Sequence, residues 1–445
     1  MRPFEIFFPE NTDFRAVLII VVIAFVFGLF AKLAKKDKDF DPTQLALLAL
    51  LVVSAVTSQL ARGWLSGAIT VLTDFAVPAL MFLLVGWNVT TMRRVRLMAW
   101  VFVIVGVIWS VMAIAAHQSG FMSDVLLVRQ SVSGVENALQ ARHPSEDILR
   151  QWLWRVRALG FLNDSNDFGQ YLLVCLVFVF ALCEKKSMVR WLLVFLPASS
   201  LLLIAIYLTH SRGAVVGLGL VLFFFISMKL GKLKTALMFL PVVLLASGLT
   251  IGEASRGFSA DEESAGGRLE AWSMGLQMLK GSPLFGVGYG AFLDHHGYTA
   301  HNSWVLCFAE LGLFGYFAWN SLMMVCLLPM IRILRFSIKF ERSESYLWLR
   351  SVAAATLGFL VCSFFLSRTY PATHYVLLAM CVASSRIYMQ SLAANNASEK
   401  YQGLNDLVRL RLKDWLPKTL ILMVLSIIGF WIFTIVYWKI FGGAR

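Results

Sequence analysis

Long apolar runs alternate along the chain with short clusters of Lys and Arg, and that alternation sets the expected architecture. A helix needs about 17–25 apolar residues to cross roughly 30 Å of hydrocarbon. Twelve runs qualify, near 16–32, 44–61, 64–86, 97–116, 167–183, 190–208, 213–229, 234–250, 303–331, 347–367, 372–390 and 418–438. Only "THSR" separates the sixth from the seventh. The first run leads into "AKLAKKDKD" without an export cleavage site, so it is expected to stay as a helix. The expected fold is all-α and polytopic. Residues 1–250 carry helices one to eight with a long loop at 117–166, residues 251–302 form a large outward loop, and residues 303–445 carry helices nine to twelve.

The loop charges orient this array. Lys32/Lys35/Lys36/Lys38, Arg93/Arg94/Arg96, Lys185/Lys186/Arg190, Lys229/Lys232/Lys234, Arg332/Arg335/Lys339/Arg342/Arg350 and Arg386/Lys400/Arg409/Arg411/Lys413/Lys418 fall in alternate loops. The positive-inside rule puts those loops in the cytoplasm. The turn at 62–63 and the segments 117–166, 209–212, 251–302 and 368–371 then face outward, as do both termini. The 445 residues are 59% hydrophobic and only 15% charged, against about 25% charged in a soluble domain. The net charge of +13 therefore reads as a topology signal rather than a nucleic-acid footprint, with anionic membrane lipids as secondary partners. The six cysteines lie in or beside apolar runs without metal-ligand spacing, which marks them as small core residues.

The titratable chemistry gathers in the large outward loop. "GRLEAWSMGLQMLK" sets Leu269, Trp272, Leu276 and Leu279 at three- and four-residue steps, the mark of an amphipathic helix. "GSP" ends it, and Gly286, Gly288 and Gly290 follow in "GVGYG". That stretch lacks the Gly-Lys-Ser/Thr of a phosphate loop and reads as a tight backbone turn. His295 and His296 sit in an expected exposed turn. His301 stands in "TAHNSW", where the loop enters a helix that Asn302 and Ser303 can cap. A histidine there is either a polar junction residue or a general base. A zinc site from His295, His296 and His301 is the rival, but no HExxH or Cys partner accompanies it, so no metal and no cofactor is expected.

Arginines supply the second component. Arg212 lies between two apolar runs with no room for a long loop, and it faces either an anion or the membrane interface. Arg268 opens the amphipathic helix, where a cation opposes the macrodipole, so local stability does not explain it. Arg155, Arg157 and Arg368 are further outward cations. Guanidinium forks match phosphate oxygens, and several around one cavity suit a pyrophosphate. Asn163, Asp164, Asn166 and Asp167 in "LNDSNDFGQ" either cap the next helix or recognise sugar hydroxyls.

Taken in order, "GFLNDSNDFGQYL", "LTHSRGAVVGL" and "GRLEAWSMGLQMLKGSPLFGVGYGAF" leading to "AHNSWVLCFAELGLFGYFAW" resemble the O-antigen ligase and O-antigen polymerase superfamily of bacterial envelope glycosyltransferases. The resemblance covers roughly residues 160–330, and the last motif is its most specific part. It implies a metal-independent transferase of GT-C-like membrane fold. The enzyme would move a glycan from undecaprenyl pyrophosphate to an acceptor hydroxyl at the periplasmic face of the inner membrane. The acceptor is a sugar of lipid A–core in the ligases and another lipid-linked repeat in the polymerases. By motif, His301 resembles the family's catalytic histidine, and Arg212 and Arg268 its periplasmic arginines. Arg157, Asn163, Asp164 and Asn302 join them as substrate-binding candidates. One departure is that family ligases commonly keep both termini in the cytoplasm, whereas the charge pattern here puts them outside. Ligase is the leading reading and polymerase the alternative. A transporter or flippase rests on helix count alone, without paired broken helices in two related halves.

Overall fold

The computed structural model describes residues 16–33, 40–131, 141, 143–147, 152–184, 187–230, 234, 265–337, 343–394 and 408–441. It is that of an all-α polytopic membrane protein. We number its long helices α1 Ala16–Leu33, α2 Pro42–Ala61, α3 Leu65–Asn88, α4 Met92–Ser119, α5 Ser165–Cys183, α6 Met188–Leu208, α7 Arg212–Leu230, α8 Ala265–Gly281, α9 Ser303–Ser337, α10 Glu344–Ser363, α11 Ala372–Ala394 and α12 Leu412–Phe441. Among the described residues, α2 to α6 and α9 to α12 are long and apolar enough to cross a membrane, while α1 and α7 carry shorter apolar stretches. These eleven coincide with eleven of the twelve expected runs. The run at 234–250 and the start of the large loop, 251–264, lie outside the described residues.

The chain divides into two compact units. Among the described residues, the first lies within 96–234 and 354–362. Its centre is α5, most of whose residues are buried. Small residues let its neighbours close on it. A Cβ at Gly106 of α4 would collide with Cys175 Sγ, and one at Gly217 of α7 with Leu173. The Tyr171 hydroxyl and the Cys175 thiol both donate to the Phe102 carbonyl, at 3.1 and 3.2 Å. Gln170 donates to the Phe359 carbonyl at 2.8 Å, so the polar amide is satisfied where it is buried. The loop 117–166, expected only as a loop, contains an antiparallel pair, β1 Leu127–Ser131 and β2 Trp152–Val156, with Leu127 opposite Val156.

The second unit comprises residues 14–95, 265–353 and 363–445, and α9 packs there against α2, α8, α11 and α12. Arg386 donates to the carbonyls of Gly86 and Val89, satisfying the end of α3. The amphipathic helix is α8, with Leu269, Trp272 and Leu279 buried as the periodicity requires. Leu276, from the same stripe, is only half-buried.

Helix α9 is not continuous. Gly312 has φ 63 and ψ −168, far from helical values, and splits the element into a short arm before it and a long one after. The broken backbone is repaired by the glycine turn. Val287 and Gly288 N–H donate to the carbonyls of Ala309 and Glu310, at 2.9 and 3.0 Å. Leu313 and Phe314 N–H donate to those of Pro283 and Leu284, at 2.8 and 3.1 Å. Irregular backbone at membrane depth is tolerated where protein satisfies it. The two strands of backbone touch because both are glycine. A Cβ at Gly286 would strike the Glu310 carbonyl, and one at Gly312 the Leu284 carbonyl.

Candidate functional site

In the second unit the site is built on the entry to α9. Asn302, fully buried, caps the helix: its Oδ1 accepts from Trp304 N–H at 2.9 Å and Val305 N–H at 3.1 Å. Its Nδ2 donates to the Phe364 carbonyl at 2.9 Å. Ser303 adds three ties to the same distant segment. Its hydroxyl donates to the Leu366 carbonyl and accepts from Arg368 N–H, and its carbonyl accepts from the Thr369 hydroxyl. On the other side, the Trp272 indole donates to the Ala300 carbonyl at 3.1 Å. Thus the residues before and after His301 are both fixed.

His301 itself has φ 47, a left-handed conformation uncommon for residues other than Gly, though Asn, Asp and His adopt it more often than the rest. Such strain persists where the surroundings over-determine it and clusters at functional sites. The half-buried imidazole has Nε2 3.4 Å from the Thr299 hydroxyl. His295 is exposed, and His296 Nδ1 meets its neighbour Tyr298. Among the described residues, no group of three His, Cys, Asp or Glu converges to hold a metal ion.

Helix α8 carries Arg268 one turn before Trp272, on the side that reaches the residue preceding His301. The helix lies close against α9, since a Cβ at Gly275 would press on Val305. Arg268 is half-buried. Arg368, read from the sequence only as one more outward cation, has its backbone bonded to Ser303, two residues from His301.

Glu310 was missed as a site residue. It is 2% exposed, and its Oε1 accepts from Phe292 N–H at 3.3 Å. The Gly290 amide also faces the carboxylate. The Tyr370 hydroxyl lies against it without a bond of ordinary geometry, and Oε2 has no hydrogen-bond partner among the described residues. Burial, then the nearby carboxylate, pushes the Tyr370 and Tyr289 phenols upward. The glycine turn is held from α2 as well. Ser58 accepts from Tyr289 N–H at 3.0 Å, Gln59 donates to the Tyr289 carbonyl, and Arg62 pairs with Asp294 at 3.1 Å. A charged residue inside "AELGLFG" was the available signal.

The remaining candidates sit in the first unit. Arg212 is exposed at the first turn of α7, just after Ser211, whose hydroxyl accepts from Ala214 N–H. The preceding His210 has φ 50. Gly169 of α5 packs tightly on this turn, facing Thr209, Ser211 and Ala214. Arg155 braces it, donating to the Thr209 carbonyl at 3.0 Å and to Asn166 at 2.9 Å. Asp164 is the N-cap of α5, accepting from Asn166 N–H. The exposed Asn163 offers its carbonyl to Arg157, 3.5 Å away. Arg157 also donates to the Val125 carbonyl at 2.8 Å. Burial lowers the Arg157 pKa, and the Asp164 charge opposes that shift.

Residues 197–320 match the model of the O-antigen ligase family. That segment contains Arg212, Arg268, His301, Asn302 and Glu310, whereas Arg157, Asn163 and Asp164 lie outside it. The resemblance of the motifs to the ligase/polymerase superfamily is borne out over this segment, which supports a membrane enzyme acting on lipid-linked glycans. No curated protein matches the chain.

Proposed function

We propose that the chain is an O-antigen ligase. It would transfer a glycan from undecaprenyl pyrophosphate to a sugar hydroxyl of lipid A–core, at the periplasmic face of the inner membrane. The observation that carries this reading is His301, held in a left-handed conformation at a junction fixed on both sides, within the segment that matches the ligase family. Polymerisation of lipid-linked repeats is the second reading, because the same match covers both reactions.

In the proposed step, the acceptor oxygen attacks the anomeric carbon of the donor sugar. The bond from that carbon to the pyrophosphate oxygen breaks, and the pyrophosphate leaves with the electron pair. His301 takes the hydroxyl proton. Asn302 and Ser303 hold His301 in place. Arg268 is the cation of this unit proposed to counter the charge on the leaving group, while Arg212, Arg157, Asn163 and Asp164, in the first unit, are proposed for substrate binding on the resemblance of their motifs alone. Fixed cations act where charge develops and need no reorganisation at the moment of reaction. The donor carries its own leaving group, so no nucleotide is required.

Deletion of the gene in its host separates the readings. The ligase predicts lipid A–core without O-chain and a build-up of the complete glycan on undecaprenyl pyrophosphate. Core bearing a single repeat would make the enzyme the polymerase, and unchanged lipopolysaccharide would remove both readings. Donor trapped on the cytoplasmic side would point to a flippase.

The arginines carry a separate prediction. Lysine keeps the charge but loses the bidentate fork. A hydrogen bond to a charged group contributes about 1.5–3 kcal/mol, roughly ten- to hundredfold in rate. Arg212→Lys is expected to lose that much transfer activity and Arg268→Lys somewhat less, measured with purified protein and lipid-linked donor. Wild-type rates in both alanine variants would rule out pyrophosphate contacts by these residues.

A further inference from the structure

A groove of about 450 Å³ runs between α8 and α12, with neither His301 nor Arg268 in its lining. Its wall is formed by Leu276 and Lys280 of α8 and by Trp431, Ile435, Trp438 and Lys439 of α12. Trp272 packs edge-on against Phe430 at 5.1 Å, and the lining carries this side-by-side register on to Lys280 and Lys439. Both lysines therefore stand at the same end of the groove, on the last turns of their helices. None of the nine lining residues is acidic.

The groove explains why Leu276 leaves the buried stripe of α8: it faces this opening. Helix α12 turns a largely apolar face outward, and Trp431 and Trp438, seven residues apart, are both exposed there. An apolar trough of this volume is in the range that holds a small ligand. Tryptophans suit the membrane interface, and paired lysines at one end suit an anionic headgroup. The cations here are compact ammonium charges rather than planar forks, which favours a simple phosphodiester over a clamped pyrophosphate.

We infer that this groove is a binding site for one anionic glycerophospholipid, with its phosphate between Lys280 and Lys439 and an acyl chain along Leu276, Trp431 and Ile435. The site is separate from the transfer reaction and does not depend on the ligase reading.

The test uses the purified full chain in neutral detergent, titrated with phosphatidylglycerol or phosphatidylcholine brominated at mid-chain. Bromine quenches tryptophan on contact, and the Trp431→Phe/Trp438→Phe variant identifies the groove's share of the signal. Two basic residues beside one anionic headgroup favour it over a zwitterionic one by about tenfold or more. The expected result is that phosphatidylglycerol quenches the groove's share at about tenfold lower concentration than phosphatidylcholine. The preference should vanish in Lys280→Gln/Lys439→Gln, and millimolar inorganic phosphate should not compete. Equal quenching by the two lipids, or a preference that survives the double lysine variant, overturns the inference. So does competition by phosphate alone, which would leave only an anion site. Stronger lysine-dependent binding of undecaprenyl phosphate would reassign the groove to the donor. A disulfide between two copies through Gln277→Cys would assign it to a second chain.

Discussion

Alanine at His301 is expected to lower glycan transfer by about 10²–10⁴-fold, the range a positioned general base contributes. Folding and donor binding should survive. The anchors of the junction are Asn302, Ser303 and the Ala300 carbonyl, and none of them uses the imidazole. Losing a base affects the transition state more than ground-state binding, so kcat should fall with little change in donor KM. His301→Gly supplies the sharper comparison. Glycine adopts φ 47 without strain, so a purely conformational role for residue 301 would be satisfied by glycine and activity would return. An inactive glycine variant that still binds donor is the expected result. His295→Ala and His296→Ala should keep most of the activity. A fully active His301→Ala protein would end the assignment of His301 as base.

The second large effect is expected from Gly312→Ala, and it is an effect on stability. At φ 63 and ψ −168 the backbone is in a region essentially reserved for glycine. The strain alone costs about 1–3 kcal/mol. The added methyl also meets the Leu284 carbonyl, and overpacking costs typically about 1–3 kcal/mol more. The variant should show a large fall in Tm in detergent, or fail to accumulate. Gly219→Ala is the matched control. It lies within α7, and nothing stands within 4 Å of its added Cβ, so it should be neutral or slightly stabilising. A Gly312→Ala protein with the Tm of the wild type would mean that α9 can run unbroken.

The helices were legible because twenty-residue apolar runs have few alternative readings in a membrane chain. The cap at Asp164 was legible for a similar reason, since Asx residues before an apolar run satisfy its first amides. The break in α9 was not. Apolar residues continue on both sides of Gly312 with Glu310 as the one charge beside it, and the partner that repairs the backbone lies in another part of the sequence. The glycine turn was read correctly as a turn, with positive φ at Gly286, Gly288 and Gly290, but its docking into α9 is a long-range pairing that no local pattern encodes. The strand pair escaped because "LVRQS" and "WLWRV" are only five residues each, and their pairing is long-range within a long loop. Within the site, His301 stood out by residue type and position. Glu310 did not, because its carboxylate is directed at amides that only the fold brings to it.

The mutual repair of the glycine turn and α9 also bears on the order in which the protein is made. Residues 283–288 are synthesised before 309–314, and until those residues arrive the turn has no acceptors or donors for the pairs it finally makes. The turn therefore reaches its final pairing only once α9 has emerged and broken at Gly312. The junction that carries His301 can reach its final form only afterwards, when residues 364–369 have also been added and bonded to Asn302 and Ser303. The histidine is thus set in place late in biogenesis, and a nascent chain stopped before α10 has ended holds the residue without the geometry.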